Sequence, residues 1–167
     1  MNTVKRKRIF LLCGIPWPGS GKSTWIKQQI EENGGIWCSR DEVRFSLLED
    51  DENYFAKENK VFSIWINNIR DAIRDPEVED VYIDATHISE NSRNKVLDRL
   101  DLSNVDVIPV VFKVPLEICI QRNNLREGRE RVPESVITNM YKSFLPVSFG
   151  EKHAYKSIIV NYVKEGV

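Results

Sequence analysis

The sequence lacks the features of a membrane-spanning, secreted or zinc-binding protein. No apolar run approaches the ~20 residues that a membrane-spanning helix needs. The basic stretch Lys5–Arg8 runs directly into an apolar strand pattern, without the apolar segment and cleavage site of a secretory signal. No cysteine–histidine spacing indicates zinc, and His87 and His153, without a metal or nucleophile context, are interpreted as structural. We therefore expect a cytoplasmic protein with no membrane association.

Cysteines are few and the net charge is small. Cys13, Cys38 and Cys119 are odd in number and lie in apolar stretches, which predicts reduced core residues. A net charge of −1 means that no global basic field indicates nucleic acid, so any site for a polyanion must be a local patch. Lys5–Arg8 is interpreted as a solvated lead-in to the first strand, with a nuclear address or a nucleic-acid contact as the alternatives.

What the sequence does contain is an alternation of strand and helix patterns along 167 residues, a length that suits one domain with a sizeable core. The predicted strands are Ile9–Cys13, Ile36–Ser39, Val78–Asp84, Val105–Val114 and Ser157–Asn161. Helices are predicted from Trp25 to about Asn33, from Arg40, from Glu52 to about Asp75, from Ser89 to about Leu100, from Pro115, and from Pro133 to Phe144. This alternation predicts an α/β fold, 1–167, with a parallel sheet of about five strands and helices on both faces.

The loop after the first predicted strand carries the strongest chemical signal. Pro-Gly-Ser-Gly-Lys-Ser-Thr, residues 18–24, stands between an apolar strand and a helical pattern, which is the context of a phosphate-binding loop. Glycines let successive backbone N–H groups turn toward one anion, and the helix N-terminus adds partial positive charge. We expect Lys22 to reach the outer phosphates of an NTP and Ser23 to ligate Mg²⁺. The other cradle residues are Gly19, Ser20, Gly21 and Thr24.

The spacing of this loop departs from the usual glycine, four residues and Gly-Lys-Ser/Thr. Pro16 occupies the position of the first glycine, and Gly14 lies two residues too far upstream. The departure corresponds to an insertion of Trp17-Pro18. We predict that the inserted pair bulges away from the phosphates and leaves Gly19–Thr24 in the usual cradle. The alternative is a Gly/Ser turn that only joins a strand to a helix.

Two carboxylates follow the next two strands, at the edge of a parallel sheet where ligands bind. Asp41 is a candidate general base for an attacking hydroxyl, and Arg44 shares its helical face and would bind an anion of the acceptor. The alternative for this pair is a helix cap with a surface ion pair. Asp84 closes an apolar strand as a Walker B acid does, and would hold Mg²⁺ or orient Ser23 and Lys22. A structural turn aspartate is its alternative.

Four arginines fall within ten residues near the end of the chain: Arg122, Arg126, Arg129 and Arg131. Arg122 and Arg126 are predicted to lie on one helix face, four residues apart. Arginines on a loop near a phosphate site suit a lid that neutralises transition-state charge and excludes water, with Arg126 as its main contributor. A solvated basic face paired with Glu127 and Glu130 is the alternative.

Beyond these residues, the chain resembles the 5′-kinase domain of bacteriophage polynucleotide kinase, within the adenylate-kinase-like P-loop kinases. The matching motifs, in order and across nearly the whole chain, are Gly-Ser-Gly-Lys-Ser-Thr-Trp, Ser-Arg-Asp-Glu-Val-Arg, Tyr-Ile-Asp-Ala-Thr, Arg-Asn-Asn-Leu-Arg-Glu-Gly and Val-Pro-Glu-Ser-Val-Ile-Thr-Asn-Met-Tyr-Lys-Ser. The resemblance implies Asp41 as the base for a 5′-hydroxyl and Arg44 as the contact for the acceptor's 3′-phosphate. It also implies Arg126 as the lid arginine, supported by Arg122, and Asp84 as the strand-end acid.

Together these features predict a phage-type kinase that uses ATP or another NTP with Mg²⁺ to phosphorylate 5′-OH ends of DNA or RNA. The alternatives are a small-molecule, nucleotide or modified-base kinase of the same fold, and a nucleotide-binding module whose loop the insertion disables. The pair of Asp41 and Arg44 favours the polynucleotide, whereas the near-neutral charge favours a small acceptor. Because the last predicted strand is followed by no phosphatase domain, we expect 3′-phosphate removal or ligation to come from another protein.

Overall fold

The computed structural model describes residues 5–14 and 21–162, which contain five strands, six α-helices and a short 3₁₀-helix. The predictions for Trp17, Pro18, Gly19 and Ser20 lie outside the described residues. The strands are β1 (Lys7–Gly14), β2 (Ile36–Ser39), β3 (Asp80–Asp84), β4 (Val105–Lys113) and β5 (Ile159–Tyr162). The helices are α1 (Lys22–Asn33), α2 (Arg40–Leu47), α3 (Glu58–Arg74), α4 (Glu90–Leu97), α5 (Leu116–Asn124) and α6 (Glu134–Ser143), with the 3₁₀-helix at Gly128–Glu130.

The strands form one parallel sheet, as the alternating pattern predicted, and their order is β2-β3-β1-β4-β5. The pattern alone could not give this order, which places β1 at the centre. In the register of the sheet, Ser39 pairs with Asp84 and Asp84 pairs with Leu12. The carboxyl ends of β2, β3 and β1 therefore lie side by side, and this edge carries the candidate site.

Helices cover both faces of the sheet because β1 is apolar on both sides. Ile9, Leu11 and Cys13 belong to the core on the face of α3 and α4. Phe10 and Leu12 belong to the core on the face of α1. A strand whose successive side chains are all buried is typical of a parallel sheet covered on both faces. The structure thus confirms the predicted α/β architecture.

The third helix begins at Glu58 and not at Glu52 as predicted. Residues 52–57 form turns, in which the Asn53 side chain accepts a hydrogen bond from the Phe55 N–H at 2.9 Å. An asparagine that bonds the backbone two residues on competes with a helix and favours a turn. This turn brings Tyr54 to the candidate site.

Smaller differences concern the ends of four elements. The third strand begins at Asp80 instead of Val78, because the Val78 N–H closes a turn onto the Asp75 carbonyl at 3.2 Å. Helix α4 ends at Leu97 instead of Leu100. The N–H groups of residues 99 and 100 bond the carbonyls three residues back instead of four, which is typical of a tightened last turn. Strand β4 ends at Lys113, and β5 begins at Ile159, where pairing with Val110 starts.

The segment between α6 and β5 is fastened to α4 by a buried ion pair. Arg93 donates to both carboxylate oxygens of Glu151, at 3.0 and 2.6 Å, and to the His87 carbonyl at 3.0 Å. The Tyr155 hydroxyl donates to Glu151 Oε2 at 2.6 Å. Burial opposes ionisation of Glu151, but the bonds from Arg93 and Tyr155 outweigh it and leave its pKa below the usual value.

The three cysteines are buried and form no disulfide, as expected of core residues. Burial raises the pKa of Cys13 and of Cys38 to about 12, so both remain thiols at neutral pH. No helix in the described part of the chain has both the length and the apolar character needed to cross a membrane.

Candidate active site

Four of the predicted site residues line one cavity of about 170 Å³: Lys22, Asp41, Arg44 and Asp84. They come from the start of α1, the first turn and middle of α2, and the end of β3. The remaining lining residues are Ser39, Arg40, Tyr54, Phe55, Glu58, Ala85, Thr86 and Met140. The strand order explains why these residues lie together. The strands β2, β3 and β1 are neighbours, and the residues that follow neighbouring parallel strands lie at the same edge of the sheet.

On the phosphate-loop side, Lys22 and Asp84 form an ion pair. Lys22 is the first residue of α1 and follows Gly21, whose φ of 82° lies in the left-handed region that favours glycine. Its Nζ lies 3.3 Å from Asp84 Oδ1, and the two side chains are only 10% and 13% exposed. Asp84 Oδ2 accepts a hydrogen bond from Trp37 Nε1 at 3.0 Å. The ammonium is therefore held by a carboxylate that is itself fixed by an indole.

On α2, Asp41 and Arg44 form a second ion pair, as their spacing predicted. Arg44 Nη1 donates to Asp41 Oδ1 and, at 2.7 Å, to the Tyr54 hydroxyl oxygen. The Tyr54 hydroxyl in turn donates to Asp41 Oδ1. The Arg44 side chain is 5% exposed and that of Asp41 46%, so the pair is buried at its arginine and open to solvent at its carboxylate. Asp41 is not the helix cap, because Ser39 Oγ accepts from the Glu42 N–H at 3.2 Å.

Glu58 completes this cluster from the first turn of α3. Arg44 Nη2 lies 2.8 Å from each oxygen of the Glu58 carboxylate, and Arg40 also donates to Oε1. Burial opposes ionisation of Glu58, but the hydrogen bond from Arg44 and the charge of Arg40 outweigh it, so the pKa of Glu58 lies below its usual value. Glu58 is therefore an anion that fixes both arginines.

The hydroxyl of Tyr54 remains a donor at all physiological pH values. Burial raises the pKa of Tyr54, and the negative charge of Asp41 raises it further. Its ring lies under the Arg44 guanidinium, 4.1 Å from Cζ to the centroid, and edge-on to Phe55. Sequence reasoning missed Tyr54, Glu58 and Trp37. Two arginines one helical turn apart, Arg40 and Arg44, were a signal that a nearby acid was needed.

The residues beside Lys22 fit a hydrated divalent cation. Ser23 and Thr24 follow it in the first turn of α1 and are exposed, and Asp84 lies at the cavity. A hydroxyl and a carboxylate oxygen are hard ligands of the kind that Mg²⁺ prefers, with its remaining positions taken by water and substrate phosphates.

The predicted lid arginines are placed differently from the other site residues. Helix α5 ends at Asn124, so Arg122 lies on the helix and Arg126 beyond it, contrary to the prediction of a shared helix face. The N–H groups of Leu125 and Arg126 bond the carbonyls three residues back, which tightens and ends the helix. Neither Arg122 nor Arg126 is among the described residues that line the cavity.

The segment between Asn123 and Val132, which contains Arg126, is held at both ends by the side chain of Asn123. Asn123, which is buried, donates from Nδ2 to the Val132 carbonyl at 2.7 Å and accepts at Oδ1 from the Val132 N–H at 3.1 Å. This pair of bonds joins the end of α5 to Val132, two residues before α6. The arginine-rich segment is thus a loop with fixed ends.

The chain belongs to a family of AAA domains, whose model matches residues 9–147 and so includes every predicted site residue. Its fold is the α/β P-loop kinase fold. A chain of the Pnkp1/Rnl/Hen1 RNA repair complex is similar at 23% identity and a TM-score of 0.70, over 86% of this chain and 45% of that one. The protein therefore spans less than half the length of that chain.

Two further solved structures share the fold over most of their length. A fungal RNA kinase is 13% identical, with a TM-score of 0.62, over 96% of this chain and 78% of that chain. A sugar kinase from Janibacter sp. HTCC2649 is 18% identical, also with a TM-score of 0.62, over 94% of this chain and 85% of that chain. At such identities the likeness establishes the fold.

Proposed function

We propose that this protein is a polynucleotide 5′-hydroxyl kinase, which transfers the γ-phosphoryl group of ATP or another NTP to the 5′-OH of DNA or RNA. The observation that carries the proposal is the pairing of Asp41 with Arg44 in the cavity that also holds Lys22 and Asp84. A phosphoryl-transfer site needs a cation for the phosphates and a base for the acceptor hydroxyl, and in this proposal Lys22 and Asp41 supply them.

Lys22 and the backbone N–H groups of residues 19–24 bind the donor phosphates in this proposal. Ser23 and Asp84 would hold Mg²⁺, which when bound neutralises charge on the phosphates. Asp84 keeps the Lys22 ammonium in place before the nucleotide arrives. Arg126, supported by Arg122, supplies further positive charge from the loop after α5 when it turns toward the transferring group.

Asp41 acts as the general base. Both of its observed hydrogen bonds, from Arg44 and Tyr54, go to Oδ1, which leaves Oδ2 to accept the proton of the acceptor hydroxyl. As the 5′-oxygen bonds to the γ-phosphorus, its proton moves to Asp41 and the bond from phosphorus to the β–γ bridging oxygen breaks. The products are a 5′-phosphate end and an NDP.

Arg44 has two roles in this proposal. Its hydrogen bonds to Asp41 and Glu58 orient the base. Because it also lines the cavity beside Asp41, it is the candidate contact for a 3′-phosphate on the first nucleotide of the acceptor. Nη1 and Nη2 donate to Asp41, Tyr54 and Glu58 in this structure, so the acceptor phosphate would replace one of these partners at the fork of N–H groups.

A small-molecule kinase is the second candidate, because the cavity has room for a single sugar ring. About 170 Å³ is smaller than the usual ligand pocket of roughly 300–1,000 Å³ and suits a single sugar ring. A terminal ribose and a free sugar would both fit. The two kinases are therefore distinguished by which acceptors the protein phosphorylates.

The test is transfer of label from [γ-³²P]ATP to a panel of acceptors: 5′-OH DNA and RNA oligonucleotides, nucleoside 3′-monophosphates, nucleosides, nucleoside 5′-monophosphates and free sugars. We expect 5′-labelled oligonucleotides. Labelling of sugars or nucleosides alone would establish the small-molecule kinase. ATP binding without transfer to any acceptor would establish a nucleotide-binding module.

A further inference from the structure

A groove between α3 and α4 carries charge of one sign only. Its lining residues are Asn59, Phe62, Ser63, Ile66, Asn67, Arg70, Lys95 and Arg99. All three charged residues among them are cations, in a chain whose net charge is −1. The others are two amides, a hydroxyl and an apolar floor. Such a surface is the local basic patch that a neutral protein needs if it is to bind a polyanion.

The cations of the groove are not neutralised by acidic side chains. Within the part of the chain that the structure describes, none of Arg70, Lys95 and Arg99 forms an ion pair. Lys95 Nζ lies 4.7 Å and Arg99 Cζ 5.2 Å from the centre of the Phe62 ring, and both side chains are exposed. Arg99 also donates to the Lys95 carbonyl, which stabilises the end of α4 but uses only part of its guanidinium.

The groove begins next to the candidate active site. Arg40, which lines that cavity, also lies over the Phe62 ring, with Cζ 5.2 Å from its centre. The charges of Arg40, Lys95 and Arg99 thus surround a single ring. Away from the cavity, Arg70 and Arg99 also line a second cleft, whose other charged residues are the cations Lys5, Arg6, Lys7 and Arg74 and the acids Glu79 and Asp101. Because Lys5 and Arg6 are paired there with Glu79 and Asp106, the second cleft is of mixed charge, and the basic surface beside the cavity is the groove itself.

We propose that the groove between α3 and α4 binds the phosphates of the acceptor strand that follow its first nucleotide. This inference rests on the proposed function and adds a binding site to it. Lys95, Arg99 and Arg70 would contact phosphate oxygens, and the amides of Asn59 and Asn67 would donate to phosphate or sugar oxygens. Contacts of this kind position a strand without reading its bases, so the site accepts any sequence.

Matched charge reversals test the groove. Lys95→Glu changes the groove, and Lys27→Glu makes the same change of net charge on an exposed residue of α1, which packs on the opposite face of the sheet. The first measurement is the Kd of a fluorescent single-stranded 12-mer with a 5′-OH end, by anisotropy at several salt concentrations. We expect Lys95→Glu to weaken binding about tenfold and to lower the slope of log Kd against log salt by about 0.7–1, with little effect of Lys27→Glu.

The second measurement is the KM for the 12-mer and for a nucleoside 3′-monophosphate, whose single phosphate is the one assigned to Arg44 and which has no later phosphates for the groove. Lys95→Glu should raise the KM for the 12-mer and leave the KM for the nucleoside 3′-monophosphate unchanged. Arg99→Glu should have the same effect. Equal effects of Lys95→Glu and Lys27→Glu, or equal increases for both acceptors, would overturn the inference. Equally tight binding of poly-glutamate with the same salt slope would also overturn it, because the surface would then recognise any polyanion.

The two proposals fail separately. Phosphorylation of the 12-mer with no selective effect of Lys95→Glu contradicts the groove and leaves the kinase assignment standing. Binding of the 12-mer that depends on Lys95 without any phosphoryl transfer supports the groove and contradicts the kinase assignment.

Discussion

The Tyr54 hydroxyl donates a hydrogen bond to Asp41 Oδ1, the oxygen that Arg44 also contacts. The rest of the Tyr54 side chain packs against the small core between α5 and α6, whose buried members are Val114, Cys119 and Ile137. The orientation of the proposed base is therefore linked to the two helices that flank the arginine-rich loop. Tyr54 is a positioning residue, because it acts on the acceptor only through Asp41.

Tyr54→Phe is expected to lower kcat for a 5′-OH oligonucleotide about tenfold with little change in KM, because one hydrogen bond to a charged group contributes about 1.5–3 kcal/mol. The aromatic ring remains packed, so the variant should stay folded with a Tm lower by several degrees at most, which a melting curve checks. The matched control is Tyr141→Phe on α6, an exposed tyrosine outside the lining of the cavity. An unchanged kcat in Tyr54→Phe would show that the hydroxyl does not orient the base.

Arg44→Ala separates the two roles of that residue. Loss of its bond to Asp41 should lower kcat for every acceptor, whereas loss of the phosphate contact should raise KM at least about tenfold only for acceptors that carry a 3′-phosphate. The comparison is between a nucleoside 3′-monophosphate and the same nucleoside. An equal rise in KM for both would remove the phosphate role from Arg44. Glu58 keeps Arg40 as a partner, and a melting curve checks that the variant is folded.

The buried pair of Arg93 and Glu151 is predicted to stabilise the attachment of the C-terminal segment. Arg93→Ala leaves the Glu151 carboxylate buried without its partner and should lower the free energy of unfolding by about 3–5 kcal/mol, measured by urea denaturation. Lys152→Ala, which removes an exposed ion pair with Asp98 nearby, is the control and should change little. Similar losses in both variants would contradict the importance of burial.

His87 should make the fold less stable in mild acid. Burial lowers its pKa to about 4, against the opposing hydrogen bond with the Leu12 carbonyl. An unfolded histidine has a pKa of about 6.5, so between about pH 6.5 and 4 the unfolded chain binds a proton that the folded chain does not. The free energy of unfolding should therefore fall as the pH falls through this range, by up to about 1.4 kcal/mol per pH unit.

His87→Asn is the variant that isolates this effect. Asparagine tolerates the positive φ of 44° at this position, and its amide can donate to the same carbonyl. The difference in stability between the two proteins should shrink or reverse from pH 7 to pH 5. A difference that is constant with pH would contradict the assignment of the acid sensitivity to His87.

The features that the sequence predicted are those that depend on local pattern. Buried runs and strand-end positions were sufficient for the parallel sheet and for the meeting of Lys22, Asp41, Arg44 and Asp84, because parallel strands bring their ends to one edge. The strand order could not be predicted from the sequence, because it depends on contacts between distant segments. Its outcome, with β3 between β1 and β2, is what puts Asp84 beside both the lysine and the indole of Trp37.

The residues that the sequence missed act through long-range contacts. Tyr54 and Glu58 fell within the helix predicted from Glu52, but Asn53 favours a turn that delays the start of the helix to Glu58 and brings Tyr54 to Asp41. The prediction that Arg122 and Arg126 share a helix face was wrong for a similar reason. The N–H groups of Leu125 and Arg126 bond the carbonyls three residues back, which ends α5 before Arg126. Local hydrogen bonds of this kind override periodicity.

The most direct test of the kinase assignment is transfer of the γ-phosphoryl group from labelled ATP to a 5′-OH oligonucleotide by the unchanged protein, by Lys22→Ala and by Asp41→Asn. We predict 5′-labelled product with the unchanged protein and none with Lys22→Ala. Asp41→Asn should lower the rate by at least about 10²-fold while ATP still binds and the melting curve stays cooperative. No label on the oligonucleotide with the unchanged protein, or full activity in Asp41→Asn, would contradict the account.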